Sequence, residues 1–144
     1  MKGLLSRNLR RAVTATVVVS AATLAFTGTA SASTGAGTGS GSEVYGSANW
    51  TWTLSGMKNI NMAVRDTKCD GNPVYVFFEA DLGMGTIDPT PYRWNENGCG
   101  TTNHWNNLKY NSGTKLSRVR VVVCVDDAGW DTCYRSGWQY NPEA

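Results

Sequence analysis

Four cysteines constrain this chain more than any other feature: Cys69, Cys99, Cys124 and Cys133, with none before residue 69. An even number of cysteines behind an N-terminal export signal is expected to close into two disulfides. Four cysteines allow three connectivities, and the local sequence favours one of them. Asp127-Ala128-Gly129-Trp130 reads as a tight turn, and a two-residue Ala128-Gly129 loop sets Cys124 opposite Cys133 and Val125 opposite Thr132. Counting outward from a hydrogen-bonded 127:130 pair makes 124:133 a non-hydrogen-bonded pair. The Cα atoms of such a pair stand about 4.5 Å apart, within reach of a disulfide. Cys69 is then left to Cys99. Each bridge is expected to contribute on the order of 2–4 kcal/mol.

The export signal occupies residues 1–32. Met1 to Arg11 carries Lys2, Arg7, Arg10 and Arg11 and no acid, and an apolar run from Ala12 to Phe26 follows. That run is short of the roughly 20 residues needed to span a bilayer, so a signal peptide is expected rather than a membrane anchor. Ala30-Ser31-Ala32 is a small-residue cleavage site, and cutting after Ala32 leaves about 112 residues. Arg10-Arg11 raises the twin-arginine route, but the surrounding residues and the disulfides favour the general secretory route.

Removing the signal changes the charge. Of thirteen basic residues four leave with it while all eleven acids stay, so the mature chain is mildly acidic. Neither nucleic acid nor an anionic membrane is an expected partner. Ser33 to Ser42 contains only Ser, Thr, Gly and Ala, too little apolar surface to offset ordering entropy, so residues 33–43 are expected to form a flexible tail. Residues 44–144 are expected to form a single β domain.

Within that domain the apolar residues recur with the strand period of two. Ala48 to Leu54 places Trp50, Trp52 and Leu54 on one face, and Asn59 to Asp66 places Ile60, Met62 and Val64 on one face. Val74 to Asp81 sets Val74, Val76, Phe78 and Ala80 inward and Tyr75, Phe77, Glu79 and Asp81 outward. Cys69-Asp70-Gly71-Asn72-Pro73 is a turn signal. A three-residue loop there predicts a hairpin pairing Val64 with Phe78 and Met62 with Ala80, apolar against apolar. Leu116 to Asp126 is expected as the longest and a central strand, with Val119, Val121, Val123 and Val125 on one face and Arg118, Arg120, Val122 and Cys124 on the other. Thr101 to Tyr110 alternates weakly, and Gly83 to Pro91 reads as loop. The pattern predicts an all-β fold, a small antiparallel β-sandwich or flattened barrel with two disulfides.

Few residues suggest chemistry. Disulfides leave no thiol nucleophile, and His104 is the single histidine, too few for a zinc site, so no cofactor or metal is expected. Glu79 with Asp81 or Glu96 is the carboxylate pair to weigh for glycoside hydrolysis. Glu79 and Asp81 share a strand face about 6.6–6.8 Å apart along the chain, and a solvated face is the simpler reading. Asp126, Asp127 and Asp131 crowd the last turn, where a solvated acidic turn stands against calcium binding. Tryptophan is the informative excess, six residues beside six tyrosines. Trp50 and Trp52 are assigned to the core, whereas Tyr92, Arg93, Trp94 and Trp130 are expected at the surface as binding residues, of the types that make protein hot spots or sugar platforms.

Val64 to Val74, Asn97-Gly98-Cys99-Gly100, and Val123 to Asp127 continuing through Cys133 to Asn141-Pro142 carry a family likeness. Over roughly Met57 to Glu143 the chain resembles the uncharacterised small secreted proteins common in actinobacteria, which implies export and a two-disulfide β fold. Tyr92-Arg93-Trp94 followed by Asn97-Gly98-Cys99, with Val119 to Tyr134, is more weakly similar to the proteinaceous α-amylase inhibitors. Those are small β-sandwiches that present a Trp-Arg-Tyr triplet, here in reverse order, and the likeness implies enzyme inhibition. A third expectation is an adaptor subunit of umbrella-shaped secreted toxin particles, small exported β proteins with a flexible N-terminal extension, a role that Ser33 to Tyr45 would suit. Together these features lead to the expectation of a secreted, non-enzymatic interaction module that binds a secreted or cell-surface protein, with polysaccharide binding as the alternative and a small hydrolase behind both.

Overall fold

The computed structural model describes residues 32–144, and the expected signal peptide falls almost wholly outside the described residues. Ten strands follow in order: β1 (Thr34–Ser40), β2 (Val44–Thr53), β3 (Gly56–Asp66), β4 (Val74–Asp81), β5 (Ile87–Pro89), β6 (Arg93–Asn95), β7 (Thr102–Asn111), β8 (Arg118–Val125), β9 (Thr132–Arg135) and β10 (Gln139–Tyr140). They make two antiparallel sheets. One runs β1-β2-β3-β7, and the other runs β10-β8-β4-β5, with β6 also paired to β4 and β9 to β8. The sheets pack face to face as a small β-sandwich, as the period-two pattern requires when every strand has one apolar face to bury.

Between the sheets lie Trp50, Trp52, Met57, Ile60, Met62 and Val64 from the first sheet and Val74, Val76, Phe78, Ala80, Val119, Val121, Val123 and Val125 from the second. Trp50 meets Trp52 and Phe78 edge to face, with ring centroids 5.3 and 5.1 Å away, so one indole joins the two sheets. Leu54, expected on the same face as the two tryptophans, is 61 % exposed in the β2–β3 turn. The strand ends at Thr53, one residue too early to carry it inward.

The predicted β3–β4 hairpin does not form. Met62 and Val64 pair with Ala48 and Gly46 of β2, while Phe78 and Ala80 pair with Val121 and Val119 of β8. The inward faces of the two strands are those the period predicts, but they meet across the sandwich instead of along a ladder. The segment between β3 and β4 is held by the Cys69–Cys99 bridge, and the Pro73 carbonyl accepts the amide of Asp126. The chain there turns a corner from one sheet to the other.

Both disulfides join the expected partners, and Cys124 and Cys133 are paired directly with Cα atoms 4.1 Å apart. Val125 faces Thr132 as expected, yet the ladder stops there and the connection is the six-residue Asp126–Asp131 rather than a two-residue loop. The Asp126 amide leaves the hairpin to reach Pro73, so the expected Asp126:Asp131 rung is absent. β8 is central in its sheet but, at 8 residues, shorter than the 10 and 11 residues of β2 and β3. The stretch expected as loop, Gly83 to Pro91, contains the short β5.

The flexible tail is the larger correction. Thr34–Ser40 pairs residue for residue with Thr51–Tyr45 of β2, and the ladder extends to the Trp52 amide donating to the Ser33 carbonyl at 2.9 Å. The compact unit accordingly begins before Val44. Gly35, Gly37 and Gly39 fall on the inward face, where a Cβ on Gly35 would overlap the Trp50 indole and those on Gly37 and Gly39 would press Val121 and Val123 at 3.0 Å. Alternate glycines therefore let the backbone lie directly on the core, and the ladder bonds with burial of core side chains offset the ordering entropy. Gly35→Ala is expected to loosen this strand by about 1–3 kcal/mol, because the indole beneath it cannot move aside. Hydrogen exchange should show the β1 amides losing protection while those of β3 and β4 keep theirs, and unchanged β1 protection would contradict the fit.

Two asparagines bend the first sheet. Asn59 and Asn107 have φ of 50° and 55°, and each sits where the pairing register shifts. Asparagine tolerates this left-handed backbone better than most residues, which makes it suited to a bulge.

Candidate functional site

The outward face of the second sheet is where aromatic and basic side chains gather. β4 presents Tyr75, Phe77, Glu79 and Asp81 on that face, and the register sets them directly opposite Cys124, Val122, Arg120 and Arg118 of β8. One half of the face is therefore apolar and the other half is a ladder of opposite charges.

In the apolar half Tyr75 is the hub. Its ring lies 4.3 Å from Trp94, 5.2 Å from Tyr92 and 6.0 Å from Phe77, and Phe77 lies 4.6 Å from Tyr92. β6 is short, but its pairing of Tyr75 with Trp94 brings the indole over the sheet. Tyr75 and Phe77 are buried, Trp94 is half-buried and Tyr92 is 47 % exposed, so the cluster offers an outer rim on a fixed floor. The Tyr75 hydroxyl donates to Asp131 Oδ2 at 2.5 Å. Burial first, and then Asp131, push this phenol well above its ordinary range, so it remains a neutral donor. That bond pins the Asp126–Asp131 connection beside the cluster, and Trp130, one residue before Asp131, stands 92 % exposed.

In the charged half, Glu79 accepts from Arg120 and from Arg135 of β9, and Asp81 accepts from Arg118 Nε at 2.8 Å. The Asp81 carboxyl is held below its ordinary value, chiefly by the Gly83 amide and then by Arg118. Trp138 lies under the guanidinium carbons of both Arg118 and Arg120, 4.4 Å from its ring in each case, and the Tyr140 hydroxyl accepts from Arg118 at 3.2 Å. These arginines are held flat by an aromatic ring on one side and carboxylates on another.

Of the residues expected to bind, Tyr92 and Trp94 join this face and Trp130 projects next to it, but Arg93 does not. Arg93 pairs with Val76, an inward position, so period-two alternation sends it to the opposite side of the sheet from its two neighbours. The Tyr92-Arg93-Trp94 triplet is thus divided between two surfaces. Tyr75, Phe77, Arg118, Arg120, Arg135, Trp138 and Tyr140 were not anticipated as site residues. The signal for the first four was the alternation of β4 and β8 itself, and pairing acids 79 and 81 with bases 120 and 118 would have revealed the ladder.

The remaining chemical candidates are dispersed. Glu79 and Asp81 are each held in ion pairs with arginine, and the lowered Asp81 carboxyl is the opposite of what a general acid needs. Glu96 lies by the β6–β7 connection, lining a separate surface depression with Gly71, Asn72 and Pro73. His104 pairs with Ala63 on the first sheet and lines a shallow polar depression with Ser47, Asn49, Asn61 and Asn106. Asp127 accepts from Asn72 Nδ2 at 3.1 Å and from Thr132 Oγ1 at 2.8 Å, while Asp131 is taken by Tyr75. Among the described residues no group of three or more His, Cys, Asp or Glu side chains is placed to hold a metal ion.

No family model, no curated protein and no solved structure matches this chain.

Proposed function

We propose that the chain is a secreted, non-enzymatic interaction module that binds another secreted or cell-surface protein through the outward face of its second sheet. The observation that carries this reading is the aromatic cluster of Tyr75, Phe77, Tyr92 and Trp94 on the outward face of the sheet, packed with Val122 and Cys124 and continuous with arginines stacked on Trp138. Tyrosine, tryptophan and arginine are the residues that dominate binding energy at protein interfaces. Tyr75 and Phe77 beneath them are buried, so these two rings have little side-chain entropy left to lose on contact.

A protein partner is favoured over a polysaccharide by ring orientation. Tyr92 and Trp94 are each inclined to the Tyr75 ring, by 34° and 35°, so the three rings do not form one flat platform for stacking sugars. Capture from culture fluid on the immobilised protein is the test. The Tyr92→Ala, Trp94→Ala double variant is expected to weaken the captured partner by about 30-fold or more, the loss that accompanies a hot spot of about 2 kcal/mol. Arg93→Ala, altering the opposite side of the sheet, should leave capture unchanged. Equal capture by the parent and double variant would defeat the proposal, and retention on starch, chitin or cellulose lost in the double variant would replace the protein partner with a glycan.

A further inference from the structure

Arg93 is placed by β6 where a cation is unusual, at the seam between the two sheets. Its partner in the ladder, Val76, is fully buried, and the same side of the sheet holds the core. Arg93 there lines a pocket with Ile60, Met62, Phe78, Leu108 and Tyr110, and the buried Thr90 and the exposed Lys109 complete its wall with Pro91. Ile60, Met62 and Phe78 are 3, 5 and 2 % exposed, so the pocket ends on core side chains and its interior is apolar.

Every other arginine of the second sheet has a carboxylate: Arg118 has Asp81, and Arg120 and Arg135 share Glu79. Arg93 has no ion pair and no side-chain hydrogen bond among the described residues, although it is only partly exposed. Among the described residues no acid lines the pocket, and Asp88, outside it, accepts from the Tyr110 hydroxyl at 3.5 Å. A partly exposed arginine beside an apolar pocket, without an anion of its own, is arranged to take a carboxylate from outside in a bidentate pair.

The size of the pocket narrows the ligand. Its volume is about 50 Å³, and a water-sized sphere needs about 10–15 Å³, so it admits about four such groups. That suits a branched short acyl chain or part of a phenyl ring, and excludes a long alkyl chain or a sugar ring with its hydroxyls.

We propose that this pocket binds a small organic carboxylate bearing a compact apolar group, with the carboxylate on Arg93 and the apolar group against Met62 and Phe78. The site is separate from the aromatic face, since Arg93 and the Tyr92–Trp94 pair lie on opposite sides of one strand. Binding here does not depend on the protein-partner reading.

The test uses the protein labelled with ¹³C at its methionine methyl groups, titrated with isovalerate and phenylacetate and with the corresponding amides, isovaleramide and phenylacetamide. The Met62 methyl resonance is expected to move with the acids while that of Met84, which is fully exposed, stays in place. The acids should bind at least about tenfold more tightly than the amides, the difference expected of one charge-assisted pair. Arg93→Gln should bring the acids down to the level of the amides. Equal affinity for acid and amide in the parent protein would overturn the proposal, and so would a Met62 resonance that no probe moves. Both of those outcomes are read on the unmodified chain, whether or not the variant folds.

Discussion

Trp50→Ala is expected to lower the unfolding free energy by about 3–5 kcal/mol, the range for deleting a large buried aromatic. Small domains have about 5–15 kcal/mol in all, so this single change removes more than half of the stability of one at the weak end. The indole is 2 % exposed and stands edge to face against Trp52 and Phe78, so its loss breaks two aromatic contacts, one of them across the sandwich. The cavity cannot be refilled from above, because Gly35 lies there with no side chain to settle into it. Trp50→Phe should cost less than half as much. Phenylalanine keeps most of the ring contact and removes an indole N–H that is buried without an acceptor. Denaturant unfolding at constant m value measures both variants, and a loss under about 1 kcal/mol for alanine would show that Trp50 does not join the sheets as described.

Opening the disulfides is the second large effect. With partners 30 residues apart, removing the Cys69–Cys99 bridge by alanine substitution is expected to cost about 3.6 kcal/mol from chain entropy. Removing Cys124–Cys133, with partners 9 residues apart, is expected to cost about 2.6 kcal/mol. The two together approach the whole stability of a domain of this size, so the doubly substituted protein should be largely unfolded at 37 °C. The order of the two costs is informative. Cys69–Cys99 ties the crossing from β3 to β4 to the connection between β6 and β7, and so restrains both sheets. Cys124 is fully buried within a formed ladder whose other rungs remain. A larger loss from the short bridge than from the long one would mean that packing around Cys124 outweighs loop entropy.

The aromatic face shows how far alternation carries a reading of the residues. Tyr75, Phe77, Glu79 and Asp81 were legible as one side of a strand, as were Arg118, Arg120, Val122 and Cys124. What alternation does not contain is the neighbour. Met62 and Phe78 were both recognisable as inward-facing, yet pairing and facing bury a side chain equally well, and only the corner at Cys69 to Pro73 selects between them. β1 escaped for a related reason: its glycines carry no hydrophobic signal, and the apolar surface it lies on belongs to Trp50, Val121 and Val123 on other strands.

The divided triplet follows the same rule. Tyr92, Arg93 and Trp94 look like one patch along the chain, but the short β6 ladder with β4 applies the two-residue period and separates Arg93 from its neighbours. The ladder decides where each side chain goes, and no property of the three residues taken alone reveals that a ladder forms there.

The chain by itself determined which residues face inward in the main strands and that two tryptophans enter the core, because these depend on side-chain period, and it determined the cysteine pairing because one local pair, Cys124 with Cys133, leaves Cys69 to Cys99. The tertiary structure alone decided that β3 and β4 belong to different sheets, that a glycine-rich segment becomes a strand, and that Arg93 reaches a pocket of its own. Each of those depends on a surface supplied by residues distant in the chain, and their position is set only when the two sheets have closed on each other.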